Sequence, residues 1–222
     1  MKFFLDTANL DEIKAANDTG CLHGVTTNPT LIAKEGAIYK PHLMKICEIF
    51  DGHISAEVTS TEADAMVAEA YNLAQLNRNI VVKLQMTVEG MKALKKLKND
   101  FKRLDREILV NVTLIFSVPQ GLLAALAGAR YVSPFVGRLD DTAHEGMDVV
   151  RDLVKIFRNY PDLNKTRVLA ASIRHPMHVI EAAKAGAHIA TMPYGLFQQL
   201  FKHPLTDIGL ARFLEDAKRI RQ

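Results

Sequence analysis

Short apolar runs rich in Val and Ile alternate with longer stretches at helical spacing along almost the whole chain. Residues 2–6, 24–28, 53–58, 79–84, 108–115, 131–136, 167–172 and 188–192 read as eight strands. Residues 11–17, 39–50, 61–76, 87–97, 119–127, 146–160 and 176–185 read as the helices between them. Pro29 is placed to open a helical segment after the second strand. Thr61 and Asp64 form a capping signature, and Gly128 and Gly186 close two helices. Two more helical stretches follow, 195–202 and 206–221. The charge-dense segment 99–107 reads as a surface connection. Such alternation argues for a parallel sheet, and eight βα units closing on themselves give a (β/α)8 barrel. The expected architecture is therefore α/β: a single-domain barrel over residues 1–222 with extra C-terminal helices. An open doubly wound sheet is the runner-up. It is weakened because no G-x-G-x-x-G or G-x-x-x-x-G-K-[ST] motif follows any strand.

The fourth strand, Ile-Val-Val-Lys83-Leu, carries a lysine in an otherwise apolar run. Burying an unpaired ammonium costs several kcal/mol. The amine must be paired or neutral, and a neutral buried amine is a nucleophile for carbonyl carbon. The alternative is an edge-strand lysine whose head reaches water.

Side chains alternate faces along a strand. Asp6, Asn28, Glu57, Lys83, Asn111, Thr113, Ser133, Phe135 and Ser172 fall at or near strand C-termini. The opposite parity is apolar in several strands: Phe3 and Leu5; Ile54, Ala56 and Val58; Val110, Val112 and Leu114. The simplest registration turns the polar set inward at the rim, where barrel enzymes place their chemistry. Each residue alone has an ordinary explanation, such as turn chemistry for Asn28 or a satisfied hydroxyl for Thr113 and Ser133. Seven strands each deliver a polar group to one rim, where a stability-driven core would place aliphatic side chains. Glu57 and Asp6 are candidates for proton transfer beside an amine nucleophile. Asn28, Asn111 and Ser133 can hold hydroxyls without adding charge. Arg138 and Arg174, beyond the strand ends, suit a phosphate; their alternative is a surface ion pair, with Asp140 and Asp141 beside Arg138.

Composition narrows the partners. Net charge is +3 with no Lys/Arg block, which gives no argument for nucleic acid. No run of eighteen apolar residues is present, and Met1-Lys-Phe-Phe-Leu-Asp6 does not read as a signal peptide. Cys21 and Cys47 lack metal-like spacing and read as reduced structural thiols of a cytoplasmic protein. The eight histidines form no H-x-x-x-H or H-E-x-x-H pattern, so no metal is expected.

Six segments carry a more specific pattern: Phe4-Leu-Asp-Thr-Ala8, Gly24-Val-Thr-Thr-Asn-Pro-Thr30, Val82-Lys-Leu84, Asn111-Val-Thr-Leu-Ile-Phe-Ser117, Ser133-Pro-Phe-Val-Gly-Arg138 and Ala171-Ser-Ile-Arg174. In this order they resemble the transaldolase family, and most of all its short-chain branch, which includes fructose-6-phosphate aldolase. The resemblance implies a (β/α)8 barrel with Lys83 as Schiff-base lysine, and transfer of a dihydroxyacetone unit between sugar phosphates without cofactor or metal. It implies that Glu57 and Thr113 hold a proton-shuttling water and that Asp6 acts on the hydroxyl beside the cleaved bond. Asn28, Asn111 and Ser133 would hold the dihydroxyacetone part, and Arg138, Ser172 and Arg174 the phosphate. It implies a homo-oligomer, a pentamer or decamer, with residues 206–222 packing on a neighbouring subunit. Gln85 stands where short-chain relatives usually have proline, and segment 99–107 is longer than usual. Glu57 and Phe135 are of the transaldolase kind, since the aldolase carries Gln and Tyr there. Two alternatives remain: an aldolase releasing free dihydroxyacetone, and a non-catalytic sugar-phosphate-binding ring protein.

Overall fold

The computed structural model describes residues 1–99 and 106–220. Eight strands run β1 (Lys2–Asp6), β2 (Leu22–Thr26), β3 (His53–Glu57), β4 (Ile80–Gln85), β5 (Val110–Ile115), β6 (Tyr131–Pro134), β7 (Arg167–Ala170) and β8 (Ile189–Met192). They pair in sequence order, all parallel, and β8 returns to β1 to close the barrel. The helices are α1 (Leu10–Asp18), α2 (Pro29–Lys34), α3 (Tyr39–Ile49), α4 (Ala63–Ala74), α5 (Val88–Asn99), α6 (Val118–Leu126), α7 (Val136–Asp140), α8 (Gly146–Asn159), α9 (Pro176–Ala185), α10 (Tyr194–Gln199) and α11 (Pro204–Ala217). The chain is thus a (β/α)8 barrel with two further helices after β8.

Local chemistry sets the element ends. The Asn9 side chain accepts from the Asp11 and Glu12 amides and opens α1. Asn28 does the same for α2 from Leu31 N–H, with Pro29 at the first helical position. Gly186, at φ 82°, closes α9 in a left-handed cap. Along α8, Met147, Val150, Leu153, Val154 and Phe157 recur at helical spacing and are all buried.

The strands bury two different faces. Outward residues such as Leu5, Ile54, Ala56, Val82, Leu84, Val110 and Val112 join the large core beneath the helices. Inward residues at mid-barrel form a second, smaller cluster around Phe4, Val81, Tyr131, Leu169 and Ile189. Gly24 makes room for it: a Cβ there would lie 2.3 Å from the Phe4 ring. Above this plug the inward positions turn polar, with Ser55, Lys83, Asn111, Thr113, Ser133, Thr26 and Thr191 buried.

Several expectations are corrected. β2 ends at Thr26, so Asn28 is a helix cap rather than a strand residue. The Thr61 capping signature is not used: Glu62 precedes α4 without a side-chain cap, and the Glu89 carboxylate accepts from Ala63 N–H instead. β6 stops at Pro134, and the short helix α7 follows. Leu114 has φ 59° at an irregularity in β5, which breaks the alternation and takes it off the outward row. Of segment 99–107, residues 100–105 lie outside the described residues. The last helix spans Pro204–Ala217 and buries none of its residues.

Candidate active site

Lys83 and Glu57 are register partners on β4 and β3, both inward. Lys83 is 5% exposed, and its Nζ lies 3.1 Å from Glu57 Oε2. The same Nζ donates to the Thr27 carbonyl oxygen at 3.3 Å. The amine is therefore paired, the first of the two outcomes that burial allows. Tyr39 fixes the other side of Glu57 by donating its hydroxyl to the Glu57 carbonyl oxygen at 2.7 Å. Burial pushes the Tyr39 phenol well above its ordinary range, so it stays a donor.

Two polar chains flank this pair. On one side Thr26 Oγ1 donates to Asp6 Oδ1 at 2.7 Å, and Thr191 Oγ1 lies 2.6 Å from Thr26 Oγ1. On the other, Ser133 Oγ donates to Asn111 Oδ1 at 2.7 Å, and Asn111 Nδ2 donates to Ser55 Oγ at 3.3 Å. Thr113 Oγ1 is buried and has no hydrogen-bond partner among the described residues. A buried unpaired hydroxyl is costly, and its place beside the acid–amine pair suits a bound water or substrate oxygen.

The set opens upward. A cleft of about 150 Å³ is lined by Asp6, Thr26, Asn28, Lys83, Ser133, Phe135, Arg138 and Ser172, among others. A second cleft of about 390 Å³ shares Asn28, Lys83, Phe135 and Arg138 and adds Glu57, Thr113, Leu114 and Lys34. Two of these residues, Leu114 (φ 59°) and Ser172 (φ 58°), hold the left-handed conformation, which costs a non-glycine residue about 1–2 kcal/mol. Gly137 supports the Ser172 turn: its N–H donates to the Ser172 carbonyl oxygen at 3.0 Å, and a Cβ would lie 2.5 Å from that oxygen.

The two rim arginines differ. Arg138 stacks over the Phe135 ring at 5.8 Å, lines both clefts and has no carboxylate within ion-pair distance among the described residues. Arg174 is forked onto Asp141, Nη1 donating at 2.7 Å and Nη2 also bonded, and is not among the residues lining either cleft. The acid that the sequence sets beside Arg138 thus belongs to Arg174. Asp140 receives His178 Nε2 at 3.1 Å, and burial together with His175 holds that imidazole below its ordinary pKa.

The structure thus brings together Asp6, Asn28, Glu57, Lys83, Asn111, Thr113, Ser133, Phe135, Arg138 and Ser172 at one end of the barrel, and leaves Arg174 on the outer rim. Sequence reasoning missed Thr26, Thr191, Ser55 and Tyr39. Thr26 and Thr191 obey the same inward rule and were open to it; nothing local marks Tyr39, which reaches Glu57 from another element.

A family model described as Transaldolase/Fructose-6-phosphate aldolase matches residues 3–222. A protein of Caldicellulosiruptor saccharolyticus named "Probable transaldolase" is 56% identical over 99% of this chain and 98% of its own length. Proteins of the same name from Moorella thermoacetica and Desulforudis audaxviator are each 56% identical over 100% of this chain and 99% and 100% of their own. The crystal structure of inosine 5′-monophosphate dehydrogenase from Legionella pneumophila superposes with a TM-score of 0.58 at 12% identity. That match covers 86% of this chain and 58% of the other, and shows a shared fold alone. With the family model matched across the barrel and relatives above half identity along its full length, the chain belongs to the transaldolase/fructose-6-phosphate aldolase family.

Proposed function

We propose that the chain is a transaldolase, moving a dihydroxyacetone unit from a ketose phosphate to an aldose phosphate. In that reaction sedoheptulose 7-phosphate and glyceraldehyde 3-phosphate give erythrose 4-phosphate and fructose 6-phosphate, a step of the non-oxidative pentose phosphate pathway. The observation that carries the reading is the buried Lys83 amine 3.1 Å from the Glu57 carboxylate, on the floor of a polar cleft. Glu57 takes a proton from the ammonium, and the freed amine adds to the ketose carbonyl carbon. Loss of water gives the iminium on Lys83. Asp6 takes the proton of the hydroxyl on the carbon leaving as aldehyde, and the carbon–carbon bond electrons move into the iminium. The resulting enamine attacks the acceptor aldehyde, and water returns the lysine.

Thr113, buried and without a hydrogen-bond partner among the described residues, holds with Glu57 the water that carries protons in the first steps. Asn28, Asn111 and Ser133 bind the hydroxyls of the three-carbon unit. Arg138, with no carboxylate partner among the described residues, receives the phosphate together with Ser172, and Arg174 supports it from the outer rim. Phe135 offers no acid to the enamine carbon, so the enamine waits for an aldehyde. The apolar stripe of α11 packs on a neighbouring subunit in a cyclic homo-oligomer. The enzyme is cytoplasmic; among the described residues no helix is long and apolar enough to cross a membrane.

Product analysis tests the reading. With erythrose 4-phosphate present, fructose 6-phosphate should yield sedoheptulose 7-phosphate quickly; without an acceptor, dihydroxyacetone should form slowly. Equal cleavage rates with and without acceptor would make the chain the aldolase of its family.

A further inference from the structure

The opposite end of the barrel carries a second concentration of charge, which the chemistry above does not use. Four consecutive strands begin there with a basic side chain. Lys2 starts β1, Arg130 directly precedes β6, Arg167 starts β7 and His188 directly precedes β8. Backbone hydrogen bonds fix their neighbourhood: Arg167 N–H donates to the Arg130 carbonyl oxygen at 2.9 Å, and Lys2 N–H to that of His188 at 2.8 Å. Arg158, from the last turn of α8, completes the set, and its guanidinium lies against Gly186. Together with Met1 these side chains line one cleft of about 650 Å³, within the range of small-molecule sites. Phe4, Tyr131 and Ile189 of the mid-barrel plug lie between this cleft and Lys83.

Cations at this end have an ordinary explanation, because the helices of a barrel finish here and their C-terminal carbonyls favour positive charge. Arg106 shows what that looks like: its guanidinium donates to the carbonyl oxygens of Ala74, Asn77 and Arg78 at the end of α4. Arg130, Arg158 and Arg167 make no such bond and no ion pair among the described residues. Arg130 Nε is buried with no hydrogen-bond partner among the described residues, although the guanidinium carbon lies 5.9 Å from the Tyr131 ring centroid and Asp162 lines a neighbouring cleft with it. A buried guanidinium N–H left unmade is costly, and an anion would satisfy it.

The titratable groups around the cleft report the same imbalance. Burial and the Arg167, Arg158 and N-terminal charges push the His188 pKa down to about 4. Burial, Arg130 and Lys2 lower that of His53, whose Nδ1 lies 2.5 Å from the Tyr131 hydroxyl. No carboxylate figures among the charges acting on either ring. His188 Nδ1 accepts from Val168 N–H at 3.1 Å, so the neutral ring keeps its hydrogen on Nε2 as one more donor.

We propose that this cleft is a second ligand site, on the face opposite the lysine, for a small multiply charged phosphate anion. Arg130 and Arg167 form its floor, with Arg158 and Lys2 at its edges. Four cations without counter-ions among the described residues exceed what one monoanion needs, which favours a diphosphate over a single carboxylate.

The test is calorimetric titration of pyrophosphate at fixed ionic strength into three full-length chains. They are the wild type, Arg138→Ala to remove the rim cation of the catalytic cleft, and Arg130→Gln with Arg167→Gln. The wild type and Arg138→Ala should show a shared saturable site whose affinity falls at least about ten-fold in the double variant. Transaldolase turnover in the double variant should match the wild type without pyrophosphate, so that failure here is separable from failure of the catalytic reading. If the double variant does not fold, Lys2→Gln and Arg158→Gln, at the exposed edges, carry the same comparison. Binding that vanishes in Arg138→Ala, that the lower-face variants leave unchanged, or that sodium chloride of equal ionic strength removes would overturn the proposal.

Discussion

Glu57 and Lys83 face each other across adjacent parallel strands, carboxylate to amine at 3.1 Å, as register partners rather than chain neighbours. A single βα unit could not make this contact; it needs β3 and β4 side by side. The pairing also explains how a lysine survives 5% exposure in a strand that is Ile, Val and Leu on both sides of it up to the terminal Gln85. Its consequence for the proposed chemistry is that the carboxylate proposed as proton acceptor for Lys83 stands within one hydrogen bond of it.

That arrangement yields the first prediction. Glu57→Gln keeps the shape and removes the acceptor, so the transfer rate should fall by about 10²–10⁴-fold. Phe135→Tyr adds a hydroxyl at the cleft wall and should raise release of free dihydroxyacetone relative to transfer. Acceptor-free and acceptor-supplied rates, measured in wild type, both single variants and the double, give the ratio. The double should shift it furthest, without strict additivity, because both changes act on one site. A ratio unmoved by Phe135→Tyr would remove that residue from the choice between transferase and aldolase.

The second prediction separates the rim arginines. Arg138 lies over the Phe135 ring with no carboxylate partner among the described residues, whereas Arg174 is already forked onto Asp141. Arg138→Ala should therefore weaken use of phosphorylated substrates by about 2–4 kcal/mol in kcat/KM, and Arg174→Ala by less. Fructose and other unphosphorylated donors should be nearly unaffected by either. The reverse order of the two losses would mean that the phosphate draws Arg174 off Asp141.

Much of this was legible in the sequence, and the remainder has identifiable causes. The eight strands and the inward polar row follow from period-two alternation, which depends only on the pleat. Lys83, Glu57, Asn111 and Ser133 were found that way and meet in space. What the pattern could not carry lies where alternation stops. Leu114 leaves the outer face because β5 is irregular beside it. Alternation carries the second strand on to Asn28, whose side chain instead caps α2. Spacing offers Arg174 no acid, because its partner, Asp141, is 33 positions away and reaches it through the short helix α7. Tertiary contact decides each of these, and local spacing holds no record of it.

The third prediction concerns assembly. Leu205, Ile208, Leu210, Phe213 and Leu214 of α11 are all more than half exposed, and the helix buries nothing on its own chain. An apolar helical face of this size needs a cover. Sedimentation should find a cyclic oligomer, pentamer or decamer, and Phe213→Asp should shift it toward smaller species. A stable wild-type particle of 24.7 kDa would contradict the proposed assembly.

The fourth prediction is a pH dependence. The folded His188 pKa, about 4, lies below its ordinary 6.5, so the unfolded chain binds this proton more tightly. The neutral ring costs nothing above pH 6.5; stability then falls as pH drops from 6.5 toward 4, and this contribution levels off below that. His188→Asn retains an acceptor for Val168 N–H and removes the titration. Urea unfolding at pH 7 and pH 5 should show a smaller acid loss in His188→Asn than in wild type. Equal losses would place the acid sensitivity elsewhere.

The central claim is that Lys83 forms the covalent intermediate, and chemical trapping tests it most directly. Borohydride reduction in the presence of fructose 6-phosphate should inactivate the enzyme. Peptide mass spectrometry should then find a three-carbon adduct on Lys83, absent when Lys83→Met is treated in the same way. An adduct on a different lysine, or full activity surviving the reduction, would contradict the account.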